Sequence, residues 1–128
     1  MSIPTTIELD FGRAELKEDG ILRFFASYNQ ETITLNQLKE LQTALLDITK
    51  GEPLPFYSDN SKMKSLGYLE RQYIGKNLHL FASASAVKEN SGVIRFIGHS
   101  INHMFPPKVP MKMFSSEKKA VEWLKSLE

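Results

Sequence analysis

The sequence predicts an α/β fold: a single-layer mixed sheet, antiparallel at its start and parallel afterwards, with helices largely on one face. The expectation rests on the order of segments. Three short β-type runs open the chain, helix-type and strand-type runs then alternate, and the chain closes on the helix pattern of Ser115–Leu127. Short successive β runs make an antiparallel meander, and strands alternating with helices make parallel βαβ units. Sheets of this kind place ligand sites at the carboxyl ends of their strands.

The elements follow in chain order. Ile7, Leu9 and Phe11 alternate with Glu8 and Asp10, the period of a half-buried strand over Ile7–Phe11. Gly12 interrupts it, and Ala14–Lys17 pairs back. Asp19-Gly20 is a tight-turn signal leading into the β run Ile21–Ser27. Thr34 with Gln37 three residues later is a capping box. Leu35, Leu38, Leu41, Leu45 and Ile48 then form one helical stripe, which Gly51 and Pro53 end.

Leu54–Ser58 reads as a strand finishing at Asp59-Asn60. A polar stretch, Ser61–Ser65, precedes a helix over Leu66–Gly75 with Leu66, Leu69, Tyr73 and Ile74 as its apolar side. Lys76–Phe81 fits either a last helical turn or the entrance to a strand. Ser83–Lys88 is a strand rich in small residues. After the turn Asn90-Ser91-Gly92, the spacing of Val93, Ile94, Ile97, Ile101, Met104 and Phe105 marks an amphipathic helix that Pro106-Pro107 stops. Val109–Phe114 is the last strand, placed near an edge because Pro110 has no N–H to donate. Ser115 or Ser116 caps a final helix burying Ala120, Trp123, Leu124 and Leu127.

The bulk composition restricts function. At 128 residues the chain has the size of one domain, so residues 1–128 are read as a single unit. Apolar residues make up 41% and charged residues 24%, ordinary for a globular protein. Lys and Arg total 16 against 15 for Asp and Glu, which leaves no electrostatic footprint for nucleic acid. Cysteine is absent, which excludes disulfides and thiolate chemistry and fits the expected cytoplasmic location. No apolar run approaches the roughly 20 residues of a membrane span. Met1-Ser2-Ile3-Pro4-Thr5-Thr6 lacks the basic and apolar regions of a signal peptide.

The whole chain resembles small bacterial STAS-like proteins, relatives of anti-sigma-factor antagonists that share architecture with CRAL-TRIO lipid-transfer domains. The residues that carry the resemblance are Ile7-Glu8-Leu9-Asp10-Phe11, Glu15-Leu16-Lys17-Glu18-Asp19-Gly20-Ile21-Leu22 and the Thr34-capped helix. The close adds to it: Pro106-Pro107-Lys108-Val109-Pro110, then Phe114-Ser115-Ser116-Glu117 and Ala120-Val121-Glu122-Trp123-Leu124. The resemblance implies a four- to six-stranded mixed sheet, and either protein–protein regulation or binding of a small or lipid-like ligand. STAS regulators carry a phosphorylatable Ser or Thr after an Asp at the start of a helix. Ser61 and Ser65 match by position, but Lys64 stands where an Asp is expected.

Three groups of residues are candidates for chemistry. Ser65, flanked by Lys62 and Lys64, is a position where a phosphate would rework a docking surface, or simply a helix cap. His99 and His103 sit four apart, the spacing at which two imidazoles share a metal, with His79 as a conceivable third ligand. They lie almost opposite the Ile94, Ile97, Ile101 stripe, beside Phe96, so a solvated or interface role is favoured and no metal is expected. The third group is the strand-end rim: Asp59, Asn60, Ser61, Glu89, Asn90, Ser91 and Ser115, facing helix N-termini that favour anions. The same residues are also ordinary caps and turns.

No Gly-x-Ser-x-Gly elbow, phosphate loop or dinucleotide fingerprint is present. The expected function is non-enzymatic: a regulatory domain without cofactor that binds another protein or a second copy of itself. Its contact surface would be Phe96, His99 and His103, with Ser61–Ser65 beside them. The alternative is a small-molecule or lipid-binding domain. Its pocket would lie between the sheet and the helices Leu66–Gly75 and Val93–Phe105, with room left by Ala82, Ala84 and Ala86 and lining from Phe81, Met104 and Phe105.

Overall fold

The computed structural model describes residues 4–60, 62–89 and 91–128. Its frame is one six-stranded sheet whose spatial order is the chain order. Strands β1 (Thr5–Leu9), β2 (Gly12–Leu16) and β3 (Leu22–Ala26) are antiparallel neighbours. Strands β4 (Leu54–Asp59), β5 (Ala82–Lys88) and β6 (Met111–Phe114) continue from β3 as a parallel ladder. Helices α1 (Leu35–Thr49), α2 (Tyr68–Asn77) and α3 (Gly92–Met104) make the three crossovers, and α4 (Glu117–Ser126) follows β6. Each crossover steps to the adjacent strand in the same sense. Connections of one hand that step one way must lie on one face.

The buried residues show that arrangement. Leu38, Leu41, Leu45 and Ile48 of α1 and Ile94, Ile97 and Ile101 of α3 share a cluster with Phe24 of β3 and Phe56 of β4. Ala120 and Leu124 of α4 cover the opposite face, with Tyr57, Ala84 and Ala86. Adjacent residues Phe56 and Tyr57 thus point to opposite layers, as a pleated strand requires.

Local signals set the ends of the elements. The Thr34 side chain accepts from the Gln37 N–H, and the Gln37 side chain accepts from the Thr34 N–H, so the capping box is complete. Lys50 and Gly51 end α1 with φ of 55° and 80°, the left-handed geometry that terminates many helices. Ser91 caps α3 and Ser116 caps α4.

Several details differ from the sequence expectation. Phe11 lies in the two-residue turn between β1 and β2, yet is buried. Leu66 precedes α2 and is buried, whereas Leu69 is 58% exposed. Residues Leu78–Leu80 form a 3-10 turn after α2. Leu127 is exposed, at the C-cap just past the end of α4.

The largest correction concerns β5. Pro55 lies inside β4 and cannot donate to the ladder, and the register slips there: Leu54 pairs with Ala82 but Pro55 pairs with Ala84. A one-residue slip moves every later side chain to the other face. Ala82 therefore stays with α1–α3, while Ala84 and Ala86 pack under α4.

The α4 layer is held by a buried cation. Arg23 of β3 is 4% exposed. Its guanidinium donates to both oxygens of Asp19 (3.0 and 2.9 Å), to Glu117 of α4 (3.1 Å) and to the Ile21 carbonyl (3.2 Å). The Arg23 side chain holds the Asp19 carboxyl below its ordinary value by hydrogen bonding. A depressed carboxylate adds stability above its unfolded value, and that contribution is lost as pH falls through the folded one. Asp19→Asn is expected to cost about 2–3 kcal/mol at neutral pH in chemical denaturation, since Glu117 is then the one charged partner left to Arg23 among the described residues. The gap from the parent should close as pH drops below about 4.

Beside Arg23, the Tyr57 hydroxyl is buried and has no hydrogen-bond partner among the described residues. Burial first, then the charges of Asp59 and Glu117, raises its pKa, so it stays protonated. Tyr57→Phe removes a buried unsatisfied group and is expected to raise unfolding stability by about 1 kcal/mol. A loss of stability on that change would show that the hydroxyl is bonded.

Candidate functional site

The parallel ladder brings three polar side chains to one place on the α1–α3 face. Ser58 lies near the carboxyl end of β4, with Asn60 just beyond it. Ser85 faces the same way on β5 because of the slip opposite Pro55. All three line a cavity of about 120 Å³ beneath the crossover helices. Its remaining walls are apolar: Phe24 and Phe56 from the sheet, Ile94, Ile97 and Ile101 from α3, and Leu38 and Leu41 from α1. Ser58 and Ser85 are 6% and 2% exposed. The Asn60 Oδ1 is buried and accepts no hydrogen bond among the described residues. Buried polar atoms are almost always paired, so an open acceptor in an apolar cavity calls for an ordered water or for a donor from a bound molecule.

Close packing keeps α2 against the end of α3. A Cβ on Gly75 would collide with the Phe105 carbonyl oxygen. The Tyr68 and Phe105 rings meet edge to face, 5.1 Å apart. Phe105 is thereby turned to α2, and Met104 is half exposed. Neither lines the cavity, contrary to expectation, whereas Phe81 does. Of the three alanines expected to leave room, Ala84 and Ala86 are on the wrong face.

Of the residues expected at the strand-end rim, Asn60 lines the cavity. Asp59 points to the α4 side, with Lys88 at 3.7 Å. Ser91 is occupied as the α3 cap, accepting from the Ile94 N–H at 3.3 Å. Ser65 is exposed and lies before Gly67, the residue that caps α2. Its neighbour Lys64 is already paired with Glu31 at 2.8 Å, so a phosphate on Ser65 would compete with that carboxylate. Ser61 and Asn90 lie outside the described residues.

Phe96, His99 and His103 do come together on the outer side of α3, all exposed, with Phe96 at 67%. Among the described residues no three His, Asp or Glu side chains are grouped so as to hold a metal ion. None of their helices is long and apolar enough to cross a membrane.

A family model described as a domain of unknown function (DUF7793) matches residues 15–128. The chain belongs to that family. No curated protein matches this DUF7793 chain. Among solved structures, it is similar to the crystal structure of an uncharacterised DUF3478-family protein with a SpoIIAA-like fold from Shewanella loihica PV-4. The two share 14% identity at a TM-score of 0.56, over 95% of this chain and 92% of the other. The fold is therefore SpoIIAA-like, as the STAS-like resemblance implied.

Ser58 and Ser85 as paired site residues were missed by sequence reasoning. The available signal was Pro55: a proline inside a buried strand points to a bulge, and a bulge reverses the faces of what it pairs with. Ile97 packs on the cavity wall. Ile97→Ala should enlarge the cavity and lower unfolding stability by about 2–4 kcal/mol, read by denaturant titration, while Phe96→Ser, on the outer side, should change it by less than about 0.5 kcal/mol.

Proposed function

We propose that this DUF7793 chain is a non-enzymatic, cytoplasmic binding domain that takes a small, mainly apolar molecule into the cavity between its sheet and α1–α3. The carrying observation is the cavity itself: about 120 Å³, apolar-walled, with an unpaired acceptor at its polar end. An apolar cavity of roughly 150 Å³ holds a benzene molecule in other proteins. No titratable side chain lines this one, which favours binding over acid–base chemistry.

Native mass spectrometry of freshly purified protein, with toluene as a defined probe, tests the reading. Saturation with toluene at about five times its dissociation constant should raise the melting temperature by about 3 °C, and Ser85→Leu, which fills the space, should abolish the rise. A clean apo mass together with no toluene effect would remove the proposal.

A second reading, contact with a protein, draws on the exposure of Phe96 beside His99 and His103. Aromatic residues are enriched at the centres of interfaces. If this surface mediates self-association, light scattering should find a dimer that Phe96→Glu converts to a monomer. A monomer in both cases removes self-association.

A further inference from the structure

Resting on the proposed binding reading, we infer that the ligand is a compact body of about one ring, carrying a single hydrogen-bond donor such as a hydroxyl, and that Asn60 reads that donor. The body is limited by size: 120 Å³ matches a single small ring or a short branched chain, and a long acyl chain would have to leave most of its length outside. The donor is specified by chemistry. The Asn60 Oδ1 is a buried acceptor with no partner among the described residues. Ser58 and Ser85, both more than nine-tenths buried, are the other polar groups on the wall, and a serine hydroxyl can donate or accept. A ligand carboxylate is disfavoured, because no cation lines the cavity and a buried unpaired charge is costly.

The polar end is also placed where a donor can be read. Ser58 and Asn60 lie at the carboxyl end of β4, an interior strand of the ladder, and Ser58 stands opposite Val87, two residues beyond Ser85. The apolar end, at Phe81 and Leu78, lies toward the amino ends of the same strands. A bound molecule is therefore oriented, with its ring among Phe24, Phe56 and Ile97 and its donor toward Asn60.

Phenol and toluene have the same shape and differ by the donor. A purely apolar cavity prefers toluene, because burying the phenol hydroxyl without a partner is unfavourable. A cavity with a waiting acceptor reverses the order. Calorimetric titration of the full chain should show phenol binding about tenfold more tightly than toluene. Asn60→Leu, close in size but without the acceptor, should return the preference to toluene while toluene affinity stays within about threefold. If that variant does not fold, Asn60→Ala, which also removes the acceptor, provides the second test, with the phenol preference lost.

The outcomes are distinguishable. Toluene binding as tightly as phenol or more tightly, or a phenol preference that neither variant reduces, overturns the donor assignment and leaves the cavity reading standing. Binding of neither probe overturns both.

Discussion

Strands β3 to β6 form a parallel ladder in chain order, and the rest of the molecule follows from that constraint. Parallel neighbours cannot be joined by tight turns, so three helices must cross over. Because every step goes the same way, all three are forced onto one face, where their apolar stripes meet over the sheet. Three helices on a twisted sheet leave space where their stripes diverge, and the cavity lies there, under α1 and α3 with the 3-10 turn after α2 at its end. The opposite face is left to α4, secured through Arg23.

The ladder carries one irregularity, and it sets the chemistry of the cavity. Without the slip opposite Pro55, Ala84 and Ala86 would face α1–α3, and Ser85 would lie under α4. The cavity would then have one polar group fewer and a different shape. A backbone limitation of proline in a central strand is thus converted, through side-chain alternation, into a polar site 30 residues later in the chain.

Much of the architecture was legible in the sequence because its signals are local. The capping box at Thr34, the stop at Gly51 and Pro53, the Ser91 cap, the break at Pro106-Pro107 and the periodicity of Ile94, Ile97 and Ile101 each depend on a few adjacent residues. The beginning of α2 was less clear, since Leu66 and Leu69 fit a helical stripe, but Leu66 lies buried in the segment before the helix and Leu69 is exposed. Phe11 alternated correctly for a strand and instead occupies a turn that drives its ring into the core. A pocket between the sheet and the crossover helices, with Phe81 on its wall, was legible as an alternative, but its polar end was not: the walls come from four strands, three helices and the turns between them, and no spacing in the chain links Ser58, Asn60 and Ser85. The outer face of α3 was legible, because a helical wheel alone separates Phe96, His99 and His103 from the buried isoleucines.

A crystal of the protein pressurised with xenon gives the most direct test, because xenon occupies apolar cavities and needs no knowledge of the ligand. The account expects one xenon peak among Phe24, Phe56 and Ile97, between the sheet and α3. Side-chain density filling that space, with no xenon bound there, would contradict it.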